Sequence, residues 1–318
     1  TGTPDGRFVY AVNWQTPAVA QGGLDTVSAF AVDRRTGALT ALDKVSAGGA
    51  LPNQALVDPS GEVLVVANYG AHAVSPHNAG IAAMRIGRDG KLAEPFYVDI
   101  HPNEPISAHQ TSAHTHGIAF DKDNRHVFIA DLGLDRIYTY DFDAHKPSLA
   151  HASPAFIHVP PGSGPRRLVV SSNGNFLYCN YQDSSKVGVF QIENGHLKKI
   201  QEISTLPGGY KGRNATAEIA IDHAGRHLYV SNRGADTVAV YGIDGASGTL
   251  THLEDVSSLG KSPRNITFDP TSAFLFVANQ ASNNLVVFRQ DRKTGHLTPV
   301  GQTMNVPQVA NVFFVKAE

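Results

Sequence analysis

A repeat running the length of the chain constrains its fold more than any other feature. Six segments share one pattern: a turn with Pro, Asp or Gly, an apolar run ending in a small residue and Asn or Asp, then a second apolar run. They read Thr3-Pro4-Asp5-Gly6 to Asn13, Asp58-Pro59-Ser60-Gly61 to Asn68, and Asp121-Lys122-Asp123-Asn124 to Asp131. The remaining three are Ser171-Ser172-Asn173-Gly174 to Tyr181, Asp222-His223-Ala224-Gly225 to Asn232, and Asp269-Pro270-Thr271-Ser272 to Asn279. Their starts lie 47 to 63 residues apart, the spacing of four-stranded blades. Runs such as Val63-Leu64-Val65-Val66, Val127-Phe128-Ile129 and Phe274-Leu275-Phe276-Val277 are short, apolar and bounded by turn residues. That suits strands covered on both faces.

Hairpin signals close the repeats, as in Asp33-Arg34-Arg35-Thr36-Gly37-Ala38-Leu39 and Asp291-Arg292-Lys293-Thr294-Gly295-His296-Leu297, and no segment sustains a helical period. The expectation is an all-β chain, a single β-propeller domain over 1–318 with antiparallel four-stranded blades around a central channel. Val306 to Val315 reads as one further strand. Because open strand edges are a liability, seven blades are expected, with the N-terminal strands of the closing blade missing or processed.

Composition narrows the partners. The 318 residues carry 26 basic and 28 acidic side chains, a formal net charge of −2. That balance gives no footprint for nucleic acid or an anionic membrane. A lone cysteine, Cys179, excludes an internal disulfide framework and a cysteine zinc site. No apolar run reaches the roughly 20 residues that cross a bilayer, so a soluble protein is expected. Thr1-Gly2-Thr3-Pro4 lacks the basic flank and apolar stretch of a signal peptide. Compartment stays open between cytoplasmic and periplasmic or secreted, and oligomeric state is not set. Asn214-Ala215-Thr216 and Asn265-Ile266-Thr267 match glycosylation acceptors but carry no meaning without a secretory context.

Function is read where the repeat stops repeating. The column just before each first strand holds Asn53, His116, Arg166, Ala217, Arg264 and Gln308; the next holds Gln54, Gly117, Arg167, Glu218, Asn265 and Val309. In a propeller one column surrounds one mouth of the channel, so His, Arg and Glu from distant repeats are expected to converge there. A second column, Asn13, Asn68, Asp131, Tyr181, Asn232 and Asn279, suits side chains that bond turn backbone. Beside it run Trp14, Tyr69, Leu132, Gln182, Arg233 and Gln280. Trp14, Tyr69 and Tyr181 would either stack on a sugar face or pack between blades.

His114 and His116 flank Thr115 and share one face of a strand. With His72, His77, His101 and His109 in the insertion nearby, a metal pair competes with an acid-base role for these two histidines. Spacing sets no third ligand, so no metal and no cofactor is expected. Glu218, among apolar strand residues, needs a cation, which Arg264 or Arg233 would supply. For Arg167 and Arg233 the competing role is a structural ion pair between blades.

At these residues the chain resembles the lactonase-type seven-bladed propeller family, which contains 6-phosphogluconolactonases and carboxy-muconate cyclases. The matching stretches are Ala113-His114-Thr115-His116-Gly117, Asp131-Leu132-Gly133-Leu134-Asp135-Arg136, Gly164-Pro165-Arg166-Arg167 and Ser204-Thr205-Leu206-Pro207. They continue through Ala217-Glu218-Ile219, Ser231-Asn232-Arg233-Gly234, Pro263-Arg264 and Ala278-Asn279-Gln280.

The resemblance implies a metal-independent lactone hydrolase acting on a small sugar-derived or carboxylated lactone. His116 or His114 would be the base, Arg166 and Arg264 the anion and oxyanion holders, and Glu218 an orienting carboxylate. Arg233, Gln182, Tyr69, Asn68, Trp14, Gln54 and Asp131 would line the substrate. The alternatives are a carboxy-muconate-type lactonizing cyclase and a carbohydrate-binding propeller with altered catalysis. Four departures set this chain apart: Gln182 where relatives place Glu, Trp14 for a family Glu, Gln54 for a frequent His, and His109-Gln110 for an Arg-Gln pair. They remove a carboxylate base and some of the positive charge that phosphate recognition uses.

Overall fold

The computed structural model describes residues 1–14, 25–70, 80–102, 104, 106 and 110–316. His72, His77 and His109 lie outside the described residues. The described chain is all-β, and no helix in it is long and apolar enough to cross a membrane. It forms two compact units, residues 1–162 with 315–318, and residues 163–314.

The first unit holds three antiparallel sheets, each a meander in chain order. The first is β1 (Phe8–Asn13), β2 (Thr26–Val32) and β3 (Leu39–Ser46). β4 (Pro52–Val57), β5 (Val63–Asn68), β6 (Gly80–Arg85) and β7 (Tyr97–Ile100) make the second. β8 (Thr115–Phe120), β9 (His126–Asp131), β10 (Arg136–Asp143) and β11 (Ser148–His158) make the third. The second unit repeats the plan in three four-stranded sheets. They are β12 (Pro165–Val170), β13 (Phe176–Tyr181), β14 (Lys186–Glu193) and β15 (His196–Ser204); β16 (Ala215–Ile221), β17 (His227–Arg233), β18 (Thr237–Ile243) and β19 (Leu250–Ser257); and β20 (Pro263–Phe268), β21 (Phe274–Asn279), β22 (Asn284–Gln290) and β23 (Leu297–Asn305).

The unbroken apolar runs have a packing cause. In the second sheet Val63, Val65, Ala67, Ile81 and Ala83 meet Ile118, Val127, Ile129 and Tyr140 of the third. The alternate residues Leu64, Val66, Ala82 and Met84 meet Phe8, Tyr10, Val27 and Ala29 of the first. In the second unit Leu228, Val230 and Tyr241 face Tyr178 and Val189, while Tyr229, Val238 and Val240 face Ile266, Leu275 and Phe288. With both faces of a sheet covered, polar alternation disappears, and each large aliphatic side chain contributes about 2 kcal/mol on burial.

The turns are built on one side chain. An oxygen of Asp58 accepts the N–H groups of Glu62 and Val63, both at 2.8 Å, and Asp121 does the same for Arg125 and His126 at 2.7 and 3.0 Å. Asp222 and Asp269 repeat it, and Ser171 and Thr3 substitute their hydroxyls in the other two repeats. This is why the sequence repeat begins on Asp, Ser or Thr.

The C-terminal stretch departs from expectation: residues 306–316 form no strand. Pro307 has no N–H to give a ladder, and Gln308 takes a left-handed φ of 49°. Gln308 and Val309 therefore leave the column the repeat assigned them. Val306, Val309 and Val312 instead pack on Ala278 and Leu285, and the Val312 N–H donates to Asn265 Oδ1 at 3.0 Å.

Candidate active site

The divergent column has a structural identity. In each four-stranded sheet the ladder between the first and second strands slips at that position. The slips fall between Pro52 and Gln54, Thr115 and Gly117, Pro165 and Arg167, Thr216 and Ile219, and Pro263 and Asn265. A bulge leaves a residue outside the ladder and re-aims its side chain. Asn53, His116, Arg166, Ala217 with Glu218, and Arg264 all sit in these bulges.

In the second unit the bulges of neighbouring sheets engage one another. Arg166 is 2% exposed, and its Nη1 donates to the Ala217 carbonyl oxygen. Arg167 Nε lies 3.6 Å from Glu218 Oε2, and Asn265 Nδ2 donates to the same oxygen at 3.3 Å. Glu218 thus pairs with Arg167, one residue along the same bulge from Arg166, and the ion pair ties two sheets together.

Arg233 Nη2 donates to Gln182 Oε1 at 2.8 Å and to the Thr216 carbonyl at 3.2 Å. Burial first, then the charges of Arg167, Arg233 and Arg264, push the Arg166 guanidinium well below its ordinary pKa, with Glu218 opposing them. Cations in this proximity gain stability from a bound anion.

In the first unit the two histidines meet Tyr69. Its ring stacks on His114 at 4.3 Å and 17°, and His116 meets the same ring edge-on at 6.1 Å and 87°. His114 Nδ1 lies 2.8 Å from the Tyr69 carbonyl oxygen, and its Nε2 lies 3.2 Å from Ser112 Oγ. A carbonyl only accepts, so Nδ1 carries a proton, and Nε2 and the serine hydroxyl share the second bond. Thr115 points the other way, its hydroxyl oxygen lying 2.7 Å from the carbonyl oxygens of both Asn68 and Gly80. His116 is 3% exposed.

The remaining candidates divide. Gln54 Oε1 accepts the Ile118 N–H at 3.1 Å and so anchors β8. Asn68 is buried and donates to the Ala47 carbonyl at 3.0 Å. Asp131 is buried under backbone N–H groups. These three act on the scaffold of the site. Trp14 differs: Nε1 donates to the Pro52 carbonyl at 2.6 Å, while 54% of the residue stays exposed.

Tyr181 is fully buried, its hydroxyl filling the space a Cβ on Gly188 would need. It packs the fourth sheet rather than offering a sugar platform. Among the described residues no group of three His, Cys, Asp or Glu side chains stands close enough to hold a metal. His101, weighed as a ligand, bonds Asp131 and Tyr140 instead. Sequence reasoning gave no role to the Gln110 amide, which donates to the Leu132 carbonyl at 2.9 Å.

A family model described as Lactonase, 7-bladed beta-propeller matches residues 1–314. The chain is 31% identical to a 6-phosphogluconolactonase of Bacillus subtilis over 300 residues, covering 94% of this chain and 82% of the relative. A 6-phosphogluconolactonase of Formosa agariphila is 32% identical over 311 residues, covering 96% and 84%. Among solved structures, the periplasmic gluconolactonase PpgL of Pseudomonas aeruginosa superposes with a TM-score of 0.90 at 32% identity, covering 99% of this chain and 86% of that one. The antiparallel sheets described above are the blades of an all-β propeller, and the chain belongs to the lactonase family of seven-bladed β-propellers.

Proposed function

We propose that this lactonase-family protein opens the ring of a small sugar-derived or carboxylated lactone by water attack. The arginine-rich bulges of the second unit carry the reading. The charges of Arg167, Arg233 and Arg264 bear on Arg166, with Glu218 as the opposing carboxylate. Such a cluster binds a substrate anion and stabilises an oxyanion. The names of the relatives, 6-phosphogluconolactonase and gluconolactonase, put sugar lactones first among substrates.

In the proposed reaction His116 takes a proton from water as the water oxygen bonds the acyl carbon. Arg166 and Arg264 hold the substrate anion and the tetrahedral oxyanion. The ring C–O bond then breaks, the departing ring oxygen takes back the proton held by His116, and the carboxylic acid product ionises with release of one proton. His114, bonded at both ring nitrogens, holds Tyr69 beside His116. Glu218 orients Arg167, and Gln182 orients Arg233. Trp14 offers an exposed aromatic face to a sugar ring.

The surplus of guanidinium charge also suits an unsaturated dicarboxylate, whose cyclisation runs a related reaction in reverse. Seven blades are proposed for the whole ring on the description of the family; six sheets lie among the described residues.

Proton release from unphosphorylated and 6-phosphorylated gluconolactone, corrected for spontaneous opening, tests the reading. The intact protein accelerates at least one of them and His116→Ala lowers kcat by about a hundredfold or more. Cyclisation of a carboxy-muconate with no lactone opening would move the protein to the second reading. No turnover of either class would leave a binding propeller.

A further inference from the structure

The column that holds Asn68, Asp131, Asn232 and Asn279 is uniform in all but one of these sheets. Asn68 Nδ2 donates to the Ala47 carbonyl at 3.0 Å, Asn232 Nδ2 to the Thr205 carbonyl at 2.6 Å, and Asn279 Nδ2 to the Ser258 carbonyl at 2.9 Å. Ala47, Thr205 and Ser258 are each the first residue after the last strand of the preceding sheet. The residue at that place before the third sheet is His101, directly after β7, and the Asn is replaced by Asp131. A neutral amide-to-carbonyl bond has thus become a carboxylate-to-imidazole bond, in the sheet that carries His114 and His116.

The bonds around His101 fix its protons. The residue is 1% exposed. Its Nδ1 lies 2.7 Å from Asp131 Oδ2, and its Nε2 lies 2.9 Å from the Tyr140 hydroxyl. Asp131 Oδ1 accepts the backbone N–H groups of His114, Gly133 and Leu134 at 2.8, 3.1 and 3.2 Å. A carboxylate so held by amides serves as an acceptor, so Nδ1 donates to it. The Tyr140 hydroxyl owns a single proton, and it donates this to Asp99 Oδ2 at 2.6 Å. The Tyr140 oxygen can then only accept from Nε2. Both ring nitrogens donate, which makes His101 an imidazolium between two carboxylates. If His101 were neutral and Tyr140 turned its proton inward, two oxygen acceptors would face each other at the Tyr140–Asp99 contact.

Side chains of β10 and β11 complete the surroundings of the ring. Tyr138 of β10 lies against the His101 face at 3.9 Å and 32°, and Arg136 donates to the Tyr138 hydroxyl at 3.2 Å while pairing with Glu104 at 2.8 Å. His151 of β11 stacks on Tyr140 at 4.6 Å and approaches Asp99 Oδ2 to 2.9 Å. Burial, and then the Asp99 charge, hold the Tyr140 hydroxyl well above its ordinary pKa, so it remains a donor.

We propose that His101 is a cationic positioning residue: its imidazolium fixes Asp131, which holds the backbone of the histidine-bearing segment in its working geometry. The proposal rests on the reading that His114 and His116 serve the chemistry. The charge is what the other sheets lack. Their neutral bonds hold a linker in place; here one oxygen of a clamped carboxylate gathers three amides, His114 among them. A displacement of the order of 1 Å in a catalytic group is enough to cost about a hundredfold in rate.

The test has a spectroscopic and a kinetic arm. In the intact protein labelled with 15N-histidine, long-range proton–nitrogen correlations give His101, assigned by the signals that move in Tyr140→Phe, two protonated ring nitrogens between about pH 6 and 8. A single protonated nitrogen there overturns the proposal. In the lactone assay, His101→Gln, which carries no charge, lowers kcat by about tenfold or more with KM changed less than about twofold.

The double variant Asp131→Asn, His101→Ala rebuilds the neutral bond of the other sheets. It keeps most of the thermal stability and stays as slow as His101→Gln. Wild-type kcat in either variant, with His116→Ala inactive, overturns the positioning role alone. Wild-type kcat in His116→Ala overturns the catalytic reading and leaves the nitrogen spectrum to decide the charge. Should the variants not fold, the spectrum of the unaltered protein, with His101 assigned through its contact with the Tyr138 ring, still decides the charge, and a neutral ring overturns the proposal.

Discussion

Gln182 shows how one neutral atom sets the charge of the site. Its Oε1 accepts from Arg233 at 2.8 Å, so it orients the guanidinium without cancelling it. A carboxylate at the same atom would form a charge-assisted pair with Arg233. The Gln182→Glu variant therefore weakens the site for anions: KM for 6-phosphorylated gluconolactone rises about tenfold, while KM for the unphosphorylated ring changes little. Equal KM shifts for both substrates would show that Arg233 does not sense substrate charge. Gly133 gives a second prediction. The Ser112 carbonyl occupies the space its Cβ would need, and the His114 ring lies 3.0 Å from that point. Gly133→Ala must push the His114 segment aside, and kcat falls about tenfold or more in the same proton-release assay.

Between elements, a hydroxyl latch recurs. Tyr10 of β1, Tyr178 of β13 and Tyr229 of β17 stand at one position of the repeat, and each donates to the carbonyl of a hairpin glycine in the next sheet. The acceptors are Gly90 at 2.9 Å, Gly248 at 3.0 Å and Gly295 at 2.8 Å. All three glycines take left-handed φ, between 72° and 81°, and the ring of a neighbouring side chain fills the space beside each. Tyr229→Phe removes one latch and the Tyr229 contact of buried Gln290. It costs about 1 to 3 kcal/mol, read as a lower urea midpoint with kcat unchanged.

Elements were also the scale at which the sequence was most and least readable. The strands follow from apolar runs and Asp- or Ser-led turns, because both signals are local. The bulges depend on which residue pairs with which, so His116 and Arg166 stood out only as breaks in a repeat. The Arg167–Glu218 pair and the His101 bonds cross between strands far apart in sequence, and no spacing encodes them. Val306 to Val315 looked like a strand by composition, but Pro307 and the left-handed Gln308 stop the ladder.

Across both units the turn carboxylates give the protein a common response to acid. At Asp121 and Asp222 burial opposes the charge, but hydrogen bonds from His126 or His227 and from turn amides more than offset it, so both sit below the ordinary carboxylate value. At Asp33 and Asp291 hydrogen bonds with Thr36 and Thr294, and from the turn backbone, do the same, and Asp5 falls to about 2. A carboxylate whose folded pKa is depressed contributes stability that is complete above its unfolded pKa and is lost as pH falls through the folded one. These groups therefore leave stability flat from neutrality down to about pH 5 and erode it below about pH 4. The unfolding chain takes up several protons there, because the unfolded state binds them first. Urea midpoints measured against pH should fall steeply in that window. Asp222→Asn, which cannot ionise, has lower stability at pH 7 and a shallower acid slope, by about one proton. An unchanged slope would mean that Asp222 titrates alike in the folded and unfolded chains and that its bond to His227 is packing rather than charge.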